Sequence, residues 1–66
     1  MKRYIERTLR TDDQWCKITR DNQKRTFTFA KGKAGEFQAH TIETLSFKWV
    51  ANWSEAITRA SGMMQF

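Results

Sequence analysis

The sequence predicts an α+β fold, a three-stranded antiparallel meander with room for a short fourth strand, packed on one C-terminal amphipathic helix. Three observations predict it. Segments 3–10, 14–20 and 25–30 have strand character and are separated by clusters of turn-forming residues. Apolar residues in the second half recur at helical spacing. The chain has 66 residues, which is enough for one hydrophobic core and a single domain spanning 1–66.

The strands are read from their punctuation. Thr11-Asp12-Asp13 and Asp21-Asn22-Gln23 mark turns, because Asp and Asn side chains bond the nearby backbone and tolerate left-handed conformations. Lys31-Gly32-Lys33-Ala34-Gly35 is a third breaker, with two glycines free to take positive φ. The stretch from Glu36 to Ala39 reads either as a short fourth strand or as the loop into the helix. Alternation points Ile5, Leu9, Cys16, Ile18, Phe27 and Phe29 to one face. Tyr4, Thr8, Trp15, Lys17, Thr19, Thr26 and Thr28 fall on the other.

A helix is expected over about 42–60. Ile42, Leu45, Trp49, Val50, Trp53, Ala56, Ile57 and Ala60 fall within one apolar arc at about 100° per residue. Thr41 is the expected N-cap, Glu43 lies in the first turn, Arg59 in the last, and Gly62 closes it. The helix must bury its stripe on one face of the meander. Phe47, the bulky residue outside the arc, reads as a core residue touched by the 31–40 loop or as an exposed contact.

Composition narrows the class. Nine aromatics (Trp 3, Phe 5, Tyr 1) supply packing material for a short chain. The single cysteine, Cys16, excludes an internal disulfide and fits a reducing compartment. No apolar run approaches the roughly 18 residues of a membrane span, and no signal-type apolar segment follows the basic N-terminus. A cytoplasmic protein without membrane partners is expected.

Charge is asymmetric. The chain carries +5, and residues 1–33 hold ten of its twelve Lys/Arg and four of its seven acids. That pattern fits an electrostatic footprint for phosphate or another acidic surface, and equally a solubilising face.

Catalysis and cofactors are not expected. Cys16 at an inward strand position reads as a small buried hydrophobe, His40 as a surface or capping residue, and Asp12 and Asp13 as turn formers. One Cys and one His fall short of a structural zinc site. The Gly32 and Gly35 pair is only a weak phosphate nest, and no dinucleotide or P-loop glycine motif is present.

Binding is the better reading. Arg10, Lys17, Arg20, Lys24, Arg25, Lys31 and Lys33 lie on the expected sheet and its turns, where they could neutralise successive phosphates. Trp15 and Tyr4 are interleaved with them as stacking surfaces, although Trp15 also reads as a cover for the edge of the core. The expected function is therefore a small basic module that binds nucleic acid through the exposed sheet face, with a two- or three-stranded ribbon suited to a major groove.

The order of Gln14-Trp15-Cys16-Lys17-Ile18, a basic turn, Arg25-Thr26-Phe27-Thr28-Phe29 and one amphipathic helix resembles sheet-reading DNA-binding modules such as the arm-binding domains of phage integrases. That resemblance spans most of the chain and implies a sheet laid in the major groove with the helix bracing it from behind. In size and composition the chain is also similar to phage accessory inhibitors of the anti-CRISPR and anti-defence kind. That likeness implies the alternative partner, an acidic protein surface, with Trp15, Phe37, Phe47 or Phe66 as aromatic anchors. The apolar end Met63-Met64-Gln65-Phe66 is expected either to fold over the core or to make a contact.

Overall fold

The computed structural model describes residues 3–64. Four strands, β1 (Tyr4–Arg10), β2 (Gln14–Asp21), β3 (Thr26–Lys33) and β4 (Thr41–Ser46), precede one helix, α1 (Trp53–Met63). The strands form one antiparallel sheet in the order β1-β2-β3-β4, so every strand pairs with its neighbour in sequence. The α+β meander expected from the sequence is the architecture of the chain.

Each turn has a local cause. Thr11 Oγ1 accepts the backbone N–H of Asp13 at 3.2 Å and of Gln14 at 3.1 Å, closing β1 onto β2. Asp21 Oδ1 accepts those of Gln23 at 2.9 Å and Lys24 at 3.1 Å, and Arg25 completes that turn at φ 56°. A non-glycine residue in the left-handed region is uncommon, and here it is held by the Phe47 N–H donating to the Arg25 carbonyl at 2.9 Å.

The fourth strand corrects the expected helix. Residues 41–46, placed in the helix by their spacing, pair with β3 in the register Thr26↔Ser46 to Lys31↔Thr41. Of the two readings of residues 36–39, a short strand or a loop, the structure shows the loop, which leads into β4 and not into the helix. Thr41, Ile42 and Thr44 are β-branched and favour a pleated strand, and the β3 edge offers unpaired backbone groups for them to satisfy. Ile42 and Trp49 are accordingly not core residues and stand 68% and 72% exposed.

The helix proper starts eleven residues later than expected. Asn52, not Thr41, is its N-cap, and its side chain accepts the Glu55 N–H at 3.0 Å. Glu55 reaches back to the Ala51 N–H at 2.6 Å, a variant of the capping box. The helix runs through Gly62 and is capped at Met64, whose N–H donates to the Ala60 carbonyl at 3.1 Å. Arg59 is not in the last turn; it crosses to β4 and pairs with Glu43 through Nε at 2.8 Å and through Nη2. The cation at the helix C-terminus is Lys31 of β3, whose Nζ donates to the Met63 carbonyl at 2.8 Å.

The core lies between α1 and the sheet. Cys16, Ile18, Phe27, Phe29, Ala56 and Ala60 are fully buried, joined by Val50 and Met64. The two alanines let the helix backbone approach β2 and β3 closely, leaving space for the phenylalanine rings. Phe27 is the hub: its ring sits 5.3 Å from Phe47, 5.2 Å edge-on from Trp53 and 6.5 Å from Phe29. Phe47 is thus packed on the core, against Phe27 and Arg20, while remaining partly exposed. At the margin, Leu9 is partly buried and Ile5 remains 36% exposed, because the helix lies chiefly over β2 and β3. Met64 of the apolar end folds into the core, Met63 packs against it, and Gln65 and Phe66 lie outside the described residues.

Candidate nucleic-acid interface

The cross-strand register divides the eight basic and aromatic candidates. In antiparallel pairs, residues directly opposite share a face. The rows Arg10↔Trp15↔Gly32, Thr8↔Lys17↔Ala30↔Ile42 and Glu6↔Thr19↔Thr28↔Thr44 lie on the face turned away from the helix. Arg10, Trp15 and Lys17 therefore come together at one corner of that face. Lys33 ends β3 beyond Trp15, and Lys24 and Arg25 occupy the turn at the opposite end of β2 and β3.

Three candidates are on the other side by register. Arg20 shares a row with Phe27 and Leu45, Lys31 shares one with Cys16 and Thr41, and Lys33, opposite Gln14, has the parity of Lys31 at the strand end. Arg20 lays its guanidinium 4.9 Å from the Phe47 ring centre and 5.7 Å from that of Phe27. Its Nε is buried without a hydrogen-bond partner among the described residues. Lys31 serves the helix C-terminus. Arg20 and Lys31 belong to the packing between sheet and helix, as does Arg7, stacked 4.6 Å over Trp53.

The outer face is accordingly less basic than expected. Its centre is a lattice of hydroxyls, with Thr28 Oγ1 and Thr44 Oγ1 3.1 Å apart. Glu6 lies 4.0 Å from Lys17 Nζ, and Asp21 accepts a 3.7 Å contact from Arg3 Nε. The Lys24 backbone N–H, foremost, and then the Gln23 N–H with the charges of Arg3 and Lys24 hold the Asp21 carboxyl below the usual carboxylate range, against the opposing effect of burial. Positive charge on this face is concentrated at the Arg10 and Lys17 corner, and Arg10 has no carboxylate partner among the described residues.

That corner is a built cleft of about 370 Å³, lined by Thr8, Arg10, Lys17, Trp15, Gly35 and Phe37 among others. Trp15 forms its floor. A Cβ on Gly32 would stand 2.6 Å from the Trp15 Cε2 and 2.9 Å from the Gln38 carbonyl oxygen, so the indole occupies the space a side chain would need. The Trp15 Nε1–H donates to the Glu36 carbonyl at 2.9 Å, which ties the ring to the loop over residues 34–40.

The loop over residues 34–40 is tethered around that contact. Ala34 N–H donates to the Asp13 carbonyl at 2.9 Å and His40 N–H to the Lys31 carbonyl at 2.7 Å. The Glu36 carboxylate meets His40 Nε2 at 2.8 Å, and that bond, with the His40 and Lys33 charges, holds the Glu36 carboxyl below its ordinary range. Gly35, at φ 83°, turns the chain so that Phe37 stands 103% exposed at the rim.

Sequence reasoning named Trp15 and Lys17 correctly as outward residues and Arg10 as a candidate without a face, but missed the roles of Gly32 and Glu36. A signal existed: counting the pairs back from the residue 22–25 turn sets Gly32 opposite Trp15, and glycine opposite a large ring marks a close approach.

Cys16 is fully buried, and burial pushes its thiol above the ordinary value against the smaller opposing pull of Lys31. Among the described residues no three His, Cys, Asp or Glu side chains cluster as metal ligands, and no helix is long and apolar enough to cross a membrane.

Comparison with protein-family models, with curated proteins and with solved structures found no match to this chain.

Proposed function

We propose that this chain is a non-enzymatic binding module of the cytoplasm whose partner is nucleic acid, held on the sheet face that the helix leaves uncovered. One observation carries the reading: Arg10 and Lys17 flank an indole fixed on that face, so a phosphate-attracting pair and a stacking surface meet at one cleft. Lys24 and Arg25 extend the positive field toward the turn between β2 and β3, while Arg20, Lys31 and Lys33 lie on the helix side by register.

The test is direct titration of the purified chain with a short fluorescent oligonucleotide. Binding is expected at about 50 mM salt, with an affinity that falls steeply as salt rises, and Lys17→Ala should reduce the salt slope by about one. Absence of binding at that salt, where phosphate attraction is exaggerated, rejects the reading.

A second reading, a phage-type inhibitor or adaptor that occupies a protein surface, is favoured by Trp49 and Ile42. Both are large, apolar and largely exposed, and both lie outside the cationic cleft. Retention of one stoichiometric protein from a nuclease-treated lysate, lost on Trp49→Ala, would select it over the first.

A further inference from the structure

The cleft at Trp15 is specialised beyond general phosphate attraction. Its floor is an aromatic ring whose only N–H is already used by the Glu36 carbonyl, so the ring offers a partner its π surface and no hydrogen bond. At the rim stands Phe37, with no packing contact of its own although its loop is tethered by hydrogen bonds on both sides. A fully exposed phenylalanine on an anchored loop, beside a second aromatic and two cations, is arranged to close on a flat apolar group that carries negative charge nearby. A phosphorylated nucleobase has that chemistry.

The sheet also argues against a duplex. Four strands span roughly 14 Å between their outer backbones, whereas a major groove is only about 12 Å wide, so the sheet cannot enter it as a narrower ribbon would. The pairing of β4 onto β3 is what makes this face too broad.

We infer that the cleft binds single-stranded nucleic acid by taking one unstacked base between Trp15 and Phe37, with the adjoining phosphates on Arg10 and Lys17. The inference rests on the nucleic-acid reading above and specifies its ligand. Because stacking is indifferent to base identity, the site is sequence-tolerant and strand-selective.

The experiment compares three fluorescent probes at about 50 mM salt: an eight-nucleotide thymidine strand, a sugar-phosphate strand of equal length without bases, and a duplex. Wild type is compared with Phe37→Ala, a rim substitution whose melting point should match the parent. Wild type should bind the thymidine strand about tenfold more tightly than the abasic strand, and more tightly than the duplex. Phe37→Ala should weaken the thymidine strand about five- to tenfold and leave the abasic strand unchanged. Equal affinity for the thymidine and abasic strands, a preference for duplex, or no effect of Phe37→Ala overturns base insertion while leaving nucleic-acid binding intact. Failure of all three probes to bind rejects the nucleic-acid reading itself.

Discussion

Trp15 and Gly32 face each other across β2 and β3 so closely that the indole fills the space of the missing side chain. The contact joins stability to the cleft, because the same ring is the cleft floor. Gly32→Ala should therefore destabilise the fold by about 1–3 kcal/mol, the usual range for overpacking, and displace the indole. Chemical denaturation reads the first effect, and a shifted Trp15 indole N–H resonance in NMR reads the second. A variant that melts like the parent with an unchanged resonance contradicts the close approach.

Phe27 is the ring on which the core turns. It is fully buried and meets Phe29, Phe47 and Trp53. Truncation to alanine should cost about 3–5 kcal/mol, a large fraction of the stability of so small a domain. Circular dichroism at room temperature should show a largely unfolded chain, and a cooperative melt close to that of the parent would show that the hub lies elsewhere.

The helix start rests on Asn52. Its side chain satisfies the Glu55 N–H, and alanine there leaves that donor without a protein partner. Asn52→Ala should reduce stability by about 1 kcal/mol, whereas Thr41→Ala, in the edge strand, should not show a helix-capping loss. Urea unfolding of the two variants side by side separates the two helix starts.

Asp21 ties stability to pH. Its folded carboxyl titrates below the unfolded value, so its contribution is complete above about pH 4 and is lost as pH falls through the lower folded value. Asp21→Asn should flatten that acid limb while leaving the β2 to β3 turn formed. Glu36 titrates on the same limb, so the informative quantity is the difference between the two proteins from about pH 5 to pH 2. Parallel curves would show that the charge of Asp21 is not stabilising.

Most of the sheet was legible from turn chemistry. The first three strands were placed within a few residues because Thr11 and Asp21 act through local hydrogen bonds that sequence alone reveals. The burial of Cys16, Ile18, Phe27 and Phe29 followed from alternation. The helix was misplaced because Ile42, Leu45 and Trp49 happen to continue the spacing of the true helical face, across a strand and a loop that contain no glycine or proline. The better signal was Asn52 with Glu55 three residues on, a cap and its return partner. Arg20 and Lys31 were grouped with the binding residues by charge, although each shares parity with a buried neighbour, Ile18 and Phe29. Long cationic side chains can bury their stems beneath a helix and satisfy their heads there, which composition does not disclose.

The strict succession of neighbours in the sheet also sets an order of assembly. Each strand finds its partner in the segment just before it, so the loops to be closed are short and pairing proceeds without a distant search. Phe27 and Phe29 share their core with Ala56, Ala60 and Met64, which come last in the chain. Fragments ending before Asn52 should therefore form ribbons with a bare aromatic side and clump together, whereas the intact chain covers that side with its own helix.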